Sequence, residues 1–398
     1  MIPLRSFFVP LLLLLSGSFA LSAQDPPPAP ADTYALSIPD EAERKLDQLA
    51  AYLLAGEPSE SVRLRRIFTW ITQRIRYDEG RKFVLGERSN QYDVFRTLRT
   101  RQAICLGYSR LLLALCEKAE LECEEISGYS KAKPGIPPSM NGPDHVWNAV
   151  RIDGEWQLVD LTWAAAIAAE PEDFPYRDLE YYYCAPPARF LLDHLPADPL
   201  WQLVDCPRSP EQFLQNPTDT SQLFADAPCW AWSDTLAHYR SRAEEDRRIE
   251  GLQRSYRYLP IPANGAQLGH AYMDRFVRLS EVSDRLQNTA PMDSLIPLQE
   301  RMIENAQLAQ EYIELYDWQK ENLAYTHLNY SVALSFQLAD GTAPRKEKAT
   351  LQMMEQNLLT ARDLLQAVPL NTLAENGLER CEEYLTVVRG YLKEYLNE

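Results

Sequence analysis

The 398-residue chain is acidic, with 57 Asp and Glu against 40 Lys and Arg and a formal net charge of −17. That balance disfavours nucleic acid and anionic membrane surfaces as partners, and the length accommodates two domains with sizeable cores. Neither a Cys-x-x-Cys motif nor a close pair of histidines offers metal-site spacing, so no metal or cofactor is expected.

Met1 to Ala23 reads as a secretory signal peptide: Arg5, an apolar run from Phe7 to Leu15, then small residues at Ser18, Ala20, Ser22 and Ala23. Cleavage after Ala20 or Ala23 would release a secreted or periplasmic protein. No later apolar run reaches the roughly 18 residues of a membrane span, so none is expected in the mature chain. Asp25 to Asp32 is a proline-rich spacer. Two helices are predicted next, over 41–55 and 59–76, the second carrying Leu64, Ile67, Phe68, Ile71 and Ile75 on one side.

Cys105 opens a strongly apolar stretch of helical length that includes Leu106, Leu111, Leu115 and Cys116. A cysteine at a helix start sits where unpaired amides and the helix dipole favour a thiolate, and its own N–H can hold a developing oxyanion. Gly107 would let this helix approach a sheet closely. Residues 131–143, rich in Pro, Gly, Ser and Asn, are predicted to form a loop just ahead of His145.

A hairpin follows. Residues 145–152 and 155–161 flank Asp153-Gly154, a strong two-residue turn signal. In that register Ile152 faces Glu155 and Asp160 lies opposite Trp147, so His145 and Asp160 share one face of the hairpin, about 7–8 Å apart at Cα. A slip of one residue would send the carboxylate to the other face. Thiol, imidazole and carboxylate in this order are the parts of an activated-thiol acyl-transfer site.

With Cys105 free, six other cysteines remain. Cys184, Cys206 and Cys229 lie in loop-like sequence and allow one disulfide among them, Cys116 and Cys381 fall in helical patterns, and Cys123 precedes a strand. From Asn216 to Trp232 the composition turns to Pro, Asp, Thr and Ala, and the domain boundary is placed there. Beyond it, helices are predicted over 234–256, 265–287, 298–338, 345–367 and 372–396, as a bundle or a degenerate helical repeat. The last carries Leu378, Cys381, Leu385, Val388 and Leu392 at three- and four-residue steps.

From about Ala42 to Phe213 the chain resembles the transglutaminase-like superfamily of papain-type fold. The resemblance rests on Trp70-Ile71 leading to Ile75-Arg76-Tyr77-Asp78, then Cys105-x-Gly107-Tyr108, Gly128-Tyr129-Ser130-Lys131, His145-x-Trp147-Asn148 and Asp160-x-Thr162-Trp163. Tyr181-Tyr182-Tyr183, His194-Leu195-Pro196 and Trp201-Gln202-Leu203 resemble the tail of the branch related to the kyphoscoliosis peptidase. The resemblance implies Cys105 as nucleophile, His145 as base and Asp160 as the group orienting the imidazole. Trp147, Trp163 and Tyr129 are candidates to line the substrate cleft, and Gln91 and Tyr92 to supply a second oxyanion donor.

The expected fold is α+β: a signal peptide (1–23), a papain-like transglutaminase-like domain (33–215) and an all-helical domain (233–398). The expected activity is thiol-dependent acyl transfer or hydrolysis on a protein or peptide substrate. The alternative is a non-catalytic protein-binding module that keeps the fold. In either case the helical domain offers a surface for a protein partner.

Overall fold

The computed structural model describes residues 30–80, 93–131, 138–169, 179–215, 229–287, 289–338 and 344–394. The expected signal peptide, the candidates Gln91 and Tyr92 and most of the expected boundary at 216–232 lie outside these residues.

The amino-terminal region begins with helices α1 (Pro30–Leu36), α2 (Leu46–Leu54) and α3 (Glu60–Arg74), the last started by the Ser59 side chain accepting from Val62 N. The helix expected over 41–55 is instead a short 3-10 turn (Ala42–Arg44) followed by α2, with extended backbone at Lys45 between them. Tertiary bonds explain the break: the Glu43 carboxylate is drawn inward to accept from Trp70 Nε1, Arg74 and Arg101. Two short parallel strands follow, β1 (Arg76–Tyr77) and β2 (Gln102–Ala103), separated in sequence by α4 (Val94–Thr100).

Helix α5 (Cys105–Lys118) buries Leu111, Leu112, Leu115 and Cys116 completely. Each of those leucines contributes about 1.5–3 kcal/mol through burial. Gly107 does mark a close approach, though to α4 and β2: an added Cβ would stand 2.8 Å from Ala103 Cβ and 3.2 Å from Thr97 Oγ1. The main sheet has four antiparallel strands in the order β5-β4-β3-β6: β3 (Cys123–Ser130), β4 (His145–Ile152), β5 (Glu155–Val159) and β6 (His194–Pro196). The β4–β5 register pairs Ile152 with Glu155 and Asn148 with Val159, as the turn dipeptide predicts. Asp153 and Gly154 both take positive φ (50° and 90°), the geometry of a two-residue hairpin turn matched to strand twist. Short helices α6 (Leu161–Ala169), α7 (Pro187–Phe190) and α8 (Pro210–Leu214) complete this part, and Cys206 and Cys229 form a disulfide.

The remainder is helical: α9 (Trp232–Ser241), α10 (Glu244–Tyr258), α11 (Pro262–Leu286), α12 (Ile296–Gln310), α13 (Asp317–Leu338), α14 (Pro344–Gln366) and α15 (Thr372–Glu394). Two expected helices are each divided. The one over 234–256 breaks at Arg242 and Ala243, both extended, before an acidic first turn of Glu244, Glu245 and Asp246 that suits the start of α10. The one over 298–338 breaks after Gln310; Tyr312 and Ile313 there fill the space over Gly265 and Gly269 of α11, and the Gln319 side chain accepts from Tyr316 N at the start of α13.

The helical region docks against the sheet through polar and apolar contacts. Arg254 of α10 grips the buried Asp198 carboxylate at 2.8–3.2 Å, Tyr239 donates to Glu124, and Asn264 bonds the Tyr129 hydroxyl. Tyr129, Leu195, Ala197 and Phe213 form a small apolar core there with Tyr258, Leu259 and Ile261. A cavity of about 560 Å³ lined by Trp230, Thr235, Glu250 and Arg254 opens at this seam, away from Cys105. No helix among the described residues is long and apolar enough to cross a membrane.

Candidate active site

Cys105 is the first residue of α5, after Ile104 in extended conformation. As the first helical residue, Cys105 has a backbone N–H with no acceptor inside the helix. Packing of α5 against β3 and β4 carries it to the sheet, where Asn148 of β4 donates to the Ser109 and Glu124 carbonyls and ties helix to strand. Tyr108 secures the other side by donating to the Ile75 carbonyl.

His145 begins β4. Its Nε2 lies 2.8 Å from Asp160 Oδ2, and Cys105 is near enough to the ring to help raise its pKa. Asp160 follows β5 directly. Its Oδ1 accepts from Thr162 N (2.8 Å) and Trp163 N (3.1 Å), so the same carboxylate caps α6 and faces the imidazole. All three groups are buried: Cys105 is 3% exposed, His145 5% and Asp160 0%.

Burial opposes charge on both members of the pair, yet the pair interaction prevails. Desolvation alone would lower His145, but the Asp160 charge and hydrogen bond, with a smaller part from Cys105, raise it well above the ordinary histidine range. Desolvation likewise works against the Asp160 carboxylate, and His145 and His194 hold it below the usual aspartate range.

The sheet thus brings His145 and Asp160 together as the hairpin register predicts, and the start of α5 packs Cys105 against Val146, the neighbour of His145. The cleft candidates divide. Trp163 is half-buried beside the site, its ring 5.6 Å from that of His145. Trp147 lies on the same sheet face but is wholly covered, packed against Phe190 and edge-on to His194, so it forms a floor under the histidines and not a cleft wall. Tyr129 does not line the site. Strand alternation turns it to the opposite face, where it is completely buried against the helical region.

Two neighbours of the site escaped the sequence reading. Tyr77, at the end of the Ile-Arg-Tyr motif, is 46% exposed, its phenol pushed up by burial and by the charge of Cys105. His194 of β6 places Nε2 3.0 Å from Asp160 Oδ2 and Nδ1 2.6 Å from Asp193 Oδ1. The signal was present in His194-Leu195-Pro196, but only the pairing of β6 with β3 shows that His194 shares the face of His145. Ligand atoms of His145, Asp160 and His194 lie within 4.8 Å of one another, so the fold supplies a histidine pair that the sequence spacing does not. Direct hydrogen bonds of 2.8 and 3.0 Å already join them.

Residues 47–161 match the family model for the transglutaminase-like superfamily. The chain is 33% identical over 201 residues to the kyphoscoliosis peptidase of Homo sapiens, covering 48% of this chain and 29% of that protein. It is 29% identical over 187 residues to the Lim and transglutaminase domain protein ltd-1 of Caenorhabditis elegans (43% of this chain, 25% of that protein). To hillarin of Drosophila melanogaster it is 25% identical over 211 residues (48% and 25%). It therefore spans less than a third of the length of each of these relatives. The chain carries a domain of the transglutaminase-like superfamily, with the kyphoscoliosis peptidases among its relatives.

Proposed function

We propose that this protein performs thiol-dependent acyl transfer on a peptide or carboxamide, with Cys105 as nucleophile, His145 as base and Asp160 as orienting carboxylate. One observation carries the reading: the His145 imidazole lies 2.8 Å from a buried carboxylate, with the Cys105 side chain among the groups that raise it. A raised, carboxylate-paired imidazole readily takes the thiol proton and keeps it as imidazolium. The thiolate then attacks the carbonyl carbon, and the oxyanion develops towards the Cys105 N–H. His145 returns the proton to the departing nitrogen, leaving a thioester. Water attacking that thioester gives hydrolysis and regenerates the thiol; an amine gives cross-linking.

Trp163, part-exposed beside His145, and Tyr77, 46% exposed near Cys105, are suited to hold the substrate chain. The leader-like start of the sequence and the Cys206–Cys229 disulfide both favour an oxidising, secreted or periplasmic setting.

A second reading has its own support. With Cys105 only 3% exposed, the domain suits a binding module that kept the fold without turnover. Its partner would be a protein, held by the helical region. Intact-mass measurement after iodoacetamide treatment separates the two. Rapid modification of Cys105 that is lost in His145→Ala supports the enzyme. Slow modification that is indifferent to His145 supports the binding module.

A further inference from the structure

Asp160 Oδ2 receives two imidazoles, whereas the proposed reaction uses one. The second, His194, is completely buried and has both ring nitrogens aimed at carboxylates, Asp160 at 3.0 Å and Asp193 at 2.6 Å. Asp193 is itself held by the Tyr182 hydroxyl at 3.0 Å. The His194 ring is fixed from several sides: stacked on Phe190 at 4.2 Å, edge-on to Trp147 at 5.0 Å and tilted against Trp163 at 4.5 Å. A histidine packed this closely beside a reacting pair has a bland explanation as a satisfied core group. Its hydrogen-bond geometry says more.

An ionised carboxylate only accepts hydrogen bonds, so with both acids charged both His194 nitrogens must donate. Asp193, His194, Asp160 and His145 then form one row in which each imidazole bonds a carboxylate. Such pairing is how charges are accommodated in a dry interior. Two imidazoles on Oδ2 and two amides on Oδ1 also saturate the Asp160 carboxylate and leave it no freedom to turn.

We propose that His194, braced by Asp193, is a positioning residue for the reaction. It fixes Asp160 Oδ2, and through it the imidazole that faces the Cys105 thiol. The proposal rests on the assignment of Cys105, His145 and Asp160 made above. The charged and titratable groups around His194 among the described residues are Asp160 after β5, Asp193 before β6 with Tyr182 bonded to it and Lys131 nearby, and His145 with its neighbour Asp144 at the start of β4.

The test is the rate of Cys105 alkylation by iodoacetamide in the full chain, followed by intact mass from pH 5 to 9, with melting temperature recorded for each variant. His194→Phe keeps an aromatic ring for packing but has no donor. It is expected to melt near the wild type, to label about tenfold more slowly at neutral pH, and to move the labelling midpoint upward by about one pH unit. His194→Gln, whose amide can still donate to Asp160, should recover part of the rate. A purely structural role would change melting and leave the midpoint alone. Wild-type rate and midpoint in folded His194→Phe would overturn the proposal. If that variant does not fold, Asp193→Asn decides, with an upward midpoint expected and an unmoved one counting against it. The control is His145→Ala in the wild-type background. Labelling that ignores His145 rejects the underlying assignment, whereas labelling that needs His145 but not His194 rejects this inference alone.

Discussion

His145 and His194, on strands at opposite sides of β3, direct their Nε2 atoms at a single oxygen of Asp160, with their rings 5.4 Å apart. Asp160 is therefore the hub of the site, joined at one oxygen to the imidazoles and at the other to the start of α6.

Asp160→Ala should consequently cost more than its place in the proposed reaction. It strips two buried imidazoles and two helix-start amides of their acceptor, and breaking a buried ion pair costs about 3–5 kcal/mol. Urea denaturation is expected to show a loss of at least about 3 kcal/mol. Asp160→Asn, which keeps an acceptor oxygen, should lose less while abolishing His145-dependent labelling of Cys105. Equal stability losses for the two variants would contradict the hub arrangement.

Gly128 is the point where the site face is closest. An added Cβ would stand 2.3 Å from the Leu195 carbonyl oxygen and 2.4 Å from Trp147 Cη2. Gly128→Ala must push β6 or the tryptophan away, and overpacking of this kind costs about 1–3 kcal/mol. Gly390, on the exposed face of α15, has nothing within 4 Å of its Cβ position. Gly390→Ala should stabilise by about 0.5–1 kcal/mol through helix propensity. Opposite shifts of the urea midpoint are the expected outcome.

The seam between sheet and helical region hinges on Asp198 and Arg254. Both are nearly buried, with side chains 11% and 10% exposed. Arg254→Met leaves the largely buried carboxylate without the cation bonded to it, at about 3 kcal/mol. Asp198→Asn combined with Arg254→Met removes both charges and should recover much of that loss. Hydrogen exchange at β6 and α10 should rise in the single variant and fall back in the double one; no recovery would mean that the pair is not coupled.

The His145–Asp160 pair gives stability a defined pH window. Folding raises His145, so its contribution is full below the ordinary histidine range near about 6.5 and is lost as pH climbs through the raised folded value. Folding lowers Asp160, so its contribution is full above the ordinary range near about 3.9 and is lost as pH falls through the depressed value. The melting-temperature gap between wild type and His145→Gln should be widest between about pH 4 and 6.5 and narrow on the alkaline side. A gap that widens with rising pH would contradict this sign.

The sequence by itself determined whatever depends on near neighbours. Asp153-Gly154 set the hairpin register and so placed His145 and Asp160 on one face, because strand alternation propagates from the turn. The apolar run after Cys105 marked α5, and its first position marked the thiol. Tertiary structure decided what needed distant partners. The inward pull on Glu43 shortened a helix that looked continuous, and Tyr312 with Ile313 divided another by packing on the glycines of α11. Tyr129 carried no sequence mark of its face until β3 was paired between β4 and β6. His194 reached Asp160 only because that same pairing brought a three-residue strand alongside; a hydrogen bond between remote residues leaves no periodicity in the chain that forms it.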